Sequence, residues 1–142
     1  MINWFKKKSK KVILNKKALL NYTDNYIVKG THAIPSIDFR KDGICTISGY
    51  SRPEDLDGIY KDAKEFITEL VRNNVKINFT FNFEYFNTTT QRYIYDLLRE
   101  LNSQNKIGEV IWKYPDDDED MEDMGKMYKS MYPRLKIKLI KK

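Results

Sequence analysis

The sequence predicts an α/β domain, a mixed β-sheet of five to six strands with three helices packed mainly on one face. Three observations carry that expectation. Residues 75–85 alternate apolar and polar side chains without a break, the pattern of a strand with one buried and one wetter face. Two segments, 56–70 and 94–101, repeat apolar residues at helical spacing. Strand-like and helical segments then alternate to the end of the chain, which implies strand–helix–strand units.

The elements follow in order. Tyr26-Ile27-Val28 reads as a short strand, and 36–40 and 44–48 as two more, joined by the hairpin turn Lys41-Asp42-Gly43. Ser51-Arg52-Pro53-Glu54 then announces a helix, with Ser51 as its cap and Glu54 closing a capping box. Its core face is Leu56, Ile59, Tyr60, Ala63, Phe66, Ile67 and Leu70, and Asn73-Asn74 ends it. The long strand 75–85 turns its apolar side, Val75 through Phe83 to Tyr85, toward the core. A second helix runs to about residue 104 on Ile94, Leu97, Leu98 and Leu101. Strand 109–113, a third helix over about 118–131 and a last strand at 135–140 complete the domain. No internal repeat is present.

At 142 residues the chain has room for one core. Charge divides it in two. Residues 1–25 hold seven lysines (6, 7, 8, 10, 11, 16 and 17) against Asp24, whereas residues 26–142 hold nineteen charges of each sign. The whole net charge of +6 therefore belongs to the leader, and the body is not marked as a nucleic-acid binder. The expected organisation is a basic extension over 1–25 and one folded domain over 26–142. Three readings of the leader stay open. It is a disordered solubilising tail, a contact with an anionic membrane through Trp4, Phe5 and the lysines, or a contact with nucleic-acid phosphates. No apolar run spans a membrane, and no secretory signal follows the positive start. A single cysteine, Cys45, excludes an internal disulfide and fits the cytoplasm.

The segment Phe86-Asn87-Thr88-Thr89-Thr90-Gln91, where the long strand becomes the second helix, holds the candidate site. Asn87 or Thr88 can cap the helix, and hydroxyls at a helix start ordinarily do just that. The same place suits a phosphate, because a helix N-terminus offers unpaired N–H groups and partial positive charge. A phosphate on Thr88 brings a dianion and three acceptors, and Arg92 follows one turn later to pair with it. Arg92, Tyr95, Asp96 and Arg99 lie off the apolar stripe and are expected to face outward as a recognition surface.

Enzyme signals are missing. There is no Gly-rich phosphate loop, and the one histidine, His32, has no matching nucleophile motif. Residues 116–123 carry seven carboxylates, but the calcium-loop pattern needs Gly and Glu where Met121 and Met127 stand. A solvated acidic helix start is the expected reading, with docking of a basic partner as the alternative. No metal site, cofactor or small-molecule substrate is expected.

Several motifs in sequence resemble one family. Gly30-Thr31, Pro35-Ser36-Ile37-Asp38-Phe39, Ile47-Ser48-Gly49-Tyr50-Ser51-Arg52-Pro53-Glu54 and Phe83-Glu84-Tyr85-Phe86-Asn87-Thr88-Thr89-Thr90 are similar to the SiaC family of bacterial regulatory phosphoproteins. So are Val110-Ile111-Trp112-Lys113-Tyr114 and Asp117-Asp118-Glu119-Asp120-Met121 with Gly125. The resemblance implies a fold like the STAS-type anti-sigma-factor antagonists and a non-catalytic role. It also implies modification by a serine/threonine protein kinase and reversal by a metal-dependent protein phosphatase. The effector it implies is a diguanylate cyclase, in the regulation of biofilm formation. The family's phosphothreonine falls on Thr88, with Thr89 and Thr90 as alternates because they stand where serines are usual. The expected partner surface is Asn87, Thr89, Arg92, Tyr95, Asp96 and Arg99. The competing reading is a structural protein that binds nucleic acid or a membrane through its leader.

Overall fold

The computed structural model describes residues 25–142. The leader, with its membrane-surface and nucleic-acid readings, lies outside the described residues apart from Asn25. Six strands, β1 (Tyr26–Val28), β2 (Pro35–Phe39), β3 (Ile44–Ser51), β4 (Asn78–Phe86), β5 (Val110–Tyr114) and β6 (Lys138–Lys141), lie in chain order across one sheet. The pairings β1–β2 and β2–β3 are antiparallel, and β3–β4, β4–β5 and β5–β6 are parallel. Each parallel step is made by one helix: α1 (Asp57–Arg72), α2 (Thr88–Asn102) and α3 (Glu119–Met131). Such crossovers are right-handed. Because all three step in the same direction along the sheet, all three helices cover the same face.

The core lies between that face and the helices. Phe39, Cys45, Ile47, Phe79, Phe81, Phe83 and Trp112 from the sheet meet Phe66, Ile67, Leu70, Ile94, Leu97, Leu98 and Tyr128 from the helices. On the opposite face Thr46, Ser48, Thr80, Asn82 and Lys113 remain half-buried. That is the wetter side expected from the alternation of residues 75–85. The β2–β3 hairpin turns through Gly43 at φ +99°, a left-handed conformation that glycine adopts without strain. The Asp42 carboxylate accepts from the Ile44 amide at 3.1 Å and holds the turn.

Several boundaries differ from the sequence reading, each for a physical reason. Ser51 does not cap α1. It ends β3, paired with Phe86, and α1 begins six residues later at Asp57 with no side-chain cap. The expected strand 75–85 begins only at Asn78, because the Ile77 amide donates to the Gln104 side chain at 3.1 Å instead of to a neighbouring strand. Its far end carries a bulge: Gly49 pairs with Phe83 and Tyr50 with Tyr85, so Glu84 has no opposite number. The extra residue reverses the alternation. Tyr85 therefore points away from the core and is 47% exposed, while Phe86 turns in against Phe83 and Trp112. At the C-terminal side, Pro133–Leu135 form a 3-10 turn and Lys136 takes a left-handed conformation at φ 49°. The last strand is therefore shortened from 135–140 to Lys138–Lys141.

Candidate functional site

The strand-to-helix junction after β4 is built around Asn87. This residue has extended backbone geometry at φ −85° and ψ 174°, and its side-chain oxygen accepts from the Thr90 amide at 3.0 Å. It is the helix cap, one of the two residues the sequence offered for that role. Its other bonds face backward. The Asn87 amide N–H donates to the Ser51 carbonyl at 3.1 Å. Its side-chain NH2 donates to the carbonyls of Arg52 at 2.6 Å and Pro53 at 3.1 Å. One side chain thus fastens the start of α2 to the segment that leaves β3.

The three consecutive threonines occupy three different environments. Thr88 is exposed, Thr89 is half-buried and Thr90 is wholly buried. The Thr90 hydroxyl donates to the Asn87 side-chain oxygen at 3.0 Å and lies 2.7 Å from the Ser51 hydroxyl. Ser51 in turn lies 2.9 Å from the Tyr60 hydroxyl. Burial pushes the Tyr60 phenol up to about 12, against the smaller opposing pull of the neighbouring Ser51 and Thr90 hydroxyls. The Tyr60 ring stacks on Tyr93 with centroids 4.3 Å apart and planes at 7°. The Tyr93 hydroxyl donates to the Asp57 carboxylate.

The expected outward surface of α2 is present in part. Arg92 and Arg99 are exposed, and Arg99 pairs with Asp96 at 3.5 Å. Tyr95 departs from the expectation. It is half-buried, its ring edge-on to Tyr128 of α3 at 5.4 Å, because α3 packs along that side of α2. The acidic segment opens α3 as expected. Asp118 caps it by accepting from the Met121 amide at 3.0 Å, and Glu122 pairs with Lys126 at 3.6 Å. Among the described residues, no three His, Cys, Asp or Glu side chains converge on a point where a metal could be held.

Sequence reasoning missed four residues here. Ser51 and Tyr60 make the buried hydroxyl network. Tyr50 and Tyr85 sit on the open sheet face, where the Arg52 guanidinium lies 4.6 Å and 5.2 Å from their ring centres. A signal for Ser51 did exist. Period-two counting from Cys45 through Ile47 and Gly49 places residue 51 on the core face. Tyr85 had no such signal, since a bulge leaves no mark on an unbroken alternation.

Residues 28–142 match the family described as SiaC family regulatory phosphoprotein. The chain belongs to the SiaC family. Solved structures carry the same fold at low identity. One chain from the crystal structure of the complex between diguanylate cyclase SiaD and its activator SiaC, from Pseudomonas aeruginosa, aligns with a TM-score of 0.76 at 15% identity. That alignment covers 83% of this chain and 100% of the other. SiaC of Pseudomonas aeruginosa aligns at 0.70 and 14% identity, covering 83% of this chain and 97% of its own. Apo-SiaC from the same organism aligns at 0.69 and 14%, covering 84% and 99%. No curated protein matches the sequence. The matched region of the SiaC-family domain, 28–142, takes in the whole junction around Asn87 and all three helices. No helix among the described residues is long and apolar enough to cross a membrane.

Proposed function

We propose that this protein is a non-catalytic switch whose affinity for an effector protein is set by phosphorylation of Thr88. The observation that carries the reading is the exposure of Thr88 at the first residue of a capped helix, two residues before a Thr90 whose hydroxyl is enclosed and already bonded. A kinase reaches the first without unfolding anything, and reaches the third only by opening the junction. At Thr88 a phosphate meets the free amides of the first turn and the positive end of the helix dipole. The modified protein is therefore stable in itself. What changes is the surface, where a dianion now stands at the start of the outer face of α2. A partner that packs there must desolvate it or supply a counter-charge.

The effector class follows from the family. A solved relative is the activator of the diguanylate cyclase SiaD, and a diguanylate cyclase is the partner proposed for this chain. A serine/threonine kinase and a metal-dependent phosphatase set the phosphorylation state. The test compares wild type, Thr88→Ala and Thr88→Asp for binding to a diguanylate cyclase of the same organism, with phosphopeptide mass spectrometry of the native protein. Phosphate on Thr88, retained binding by the Ala variant and weakened binding by the Asp variant support the proposal. Equal binding by all three, with label persisting on the Ala variant, refutes it.

A further inference from the structure

The hydroxyls beneath the start of α2 form a chain whose proton order is fixed by chemistry. The Asn87 side-chain nitrogen donates to two backbone carbonyls. Carbonyls only accept, so the Asn87 oxygen must be the atom that faces Thr90. That oxygen receives both the Thr90 amide and the Thr90 hydroxyl. A hydroxyl has one proton, and Thr90 spends it on Asn87. Ser51 must then donate to Thr90 across 2.7 Å, and Tyr60 to Ser51 across 2.9 Å. The chain runs one way, from Tyr60 in α1 through Ser51 at the end of β3 to Thr90 and the cap of α2. Ser51 and Thr90 are 0% exposed and Tyr60 2%. Bulk solvent has no access to replace a lost link, and any break leaves a buried hydroxyl unsatisfied.

We propose that Thr90 is a positioning residue and not a phosphoacceptor, and that its hydroxyl couples the state of Thr88 to the α1–α2 contact at Tyr60 and Tyr93. The inference rests on the reading of Thr88 as the modified residue. A phosphate there brings three strong acceptors to a first turn in which the Thr90 amide is bonded only to the cap residue Asn87. It competes with the Asn87 oxygen for the Thr90 N–H. The Thr90 amide, which also donates to the Asn87 main-chain carbonyl at 3.1 Å, is drawn toward the phosphate; the hydroxyl on the same residue moves with it, and its bonds to Asn87 and Ser51, and through Ser51 to Tyr60, shift together. Tyr60 is where the change becomes visible, because its ring is stacked on Tyr93 and Tyr93 is bonded to Asp57 at the first residue of α1. The chain is a contiguous physical link between two packed elements, each end of which has an observable.

The test installs phosphothreonine at position 88 of the full chain by genetic-code expansion and follows the ring resonances of Tyr60 and Tyr93 by NMR. Phosphorylation is expected to shift both rings in wild type and in Thr90→Ser, which keeps the hydroxyl. The shift is expected to vanish in Thr90→Val, which keeps the shape and loses the hydroxyl. A wild type whose rings ignore the phosphate, or a Thr90→Val variant that responds as wild type does, overturns the coupling. Should Thr90→Val fail to fold, Ser51→Ala interrupts the same chain one link earlier, and persistence of the shift there is equally fatal. Because the phosphate is installed synthetically, this outcome is independent of whether a kinase modifies Thr88 in the cell. Mass spectrometry of the native protein decides that separately.

Discussion

Gly125 of α3 lies against Trp112 of β5 so closely that a β-carbon built on it would stand 2.4 Å from the indole Cδ1. The same β-carbon would stand 2.5 Å from Leu139 of β6. The indole N–H donates to the Met121 carbonyl at 2.9 Å, one turn earlier in the helix. Helix and indole are therefore held at a separation that only a missing side chain permits. Trp112 is fully buried and cannot retreat. Gly125→Ala is expected to cost about 1–3 kcal/mol, the usual range for overpacking, despite the better helix propensity of alanine. Urea denaturation followed by tryptophan fluorescence measures it, and a stabilised variant would show that α3 can shift.

The cap of α2 makes a second separable prediction. Asn87→Ala removes the bond to the Thr90 amide, the acceptor for the Thr90 hydroxyl and both donors to the Arg52 and Pro53 carbonyls. Loss of a cap alone costs about 1 kcal/mol, and up to about 2. With the buried Thr90 hydroxyl also losing the acceptor for its proton, while it keeps Ser51 at 2.7 Å, about 2–3 kcal/mol is expected. Asn87→Asp keeps an acceptor at the helix start but turns an oxygen toward two carbonyl oxygens. Its loss should fall between those of wild type and the alanine variant, which equilibrium unfolding would show.

Most of the architecture was legible in the sequence because most of it is local. The apolar stripes of α1 and α2 and the alternation of β4 state their own periods. Gly43 states its own turn. What could not be read were long-range competitions. Ser51 resembles a cap from its neighbours, yet it is claimed by a strand partner, Phe86, thirty-five residues away in sequence. Thr88, Thr89 and Thr90 are chemically alike in the sequence, and only the packing of Ser51 and Tyr60 against the third distinguishes them. The outward face of α2 was right at Arg92 and Arg99. It was wrong in degree at Asp96, which is half-buried, and at Tyr95, since a single helix carries no record of the neighbour, Tyr128, that will lie beside it.

Alkaline pH should unfold the domain in a definite window. Burial pushes the Cys45 thiol from its ordinary 9.0 up to about 12, and the Tyr60 phenol from 10.0 up to about 12. Burial also raises Tyr26 and Tyr128. A group raised in the folded state holds its proton there after the unfolded chain has released it. Its contribution is complete below the unfolded value and is lost as the pH climbs toward the folded one. Stability attributable to these groups should be flat below about pH 9 and fall between pH 9 and 12. Urea midpoints across that range, with tyrosinate absorbance as a second probe, provide the measurement. Tyr60→Phe should lessen the fall above pH 10, and an unchanged slope would contradict the assignment. At neutral pH the buried Cys45 should react with a thiol reagent only at the rate at which the domain opens.

The bulge at Glu84 gives opposite fates to two adjacent aromatic residues, and the sequence pattern assigns those fates the wrong way round. Uninterrupted alternation places Tyr85 in the core and Phe86 outside. In the structure Tyr85 stands on the open face beside Tyr50 and under the Arg52 guanidinium, while Phe86 packs edge-on against Phe83 and Trp112. Tyr85→Ala should therefore cost about 1 kcal/mol or less, the worth of an exposed cation–π contact. Phe86→Ala should cost about 2–4 kcal/mol, since it opens a cavity beside two large rings that are themselves buried. The bulge is further held by Lys142, whose ammonium donates to the Phe83 carbonyl at 3.1 Å and to the Glu84 carboxylate at 2.7 Å. Lys142→Ala should thus weaken the Phe86 side of the comparison slightly and leave the Tyr85 side alone. If the two alanine variants lost stability equally, or Tyr85→Ala lost more, the strand would run without a bulge. Thr88 would then start its helix rotated relative to the sheet, and the exposure on which its modification depends would be gone.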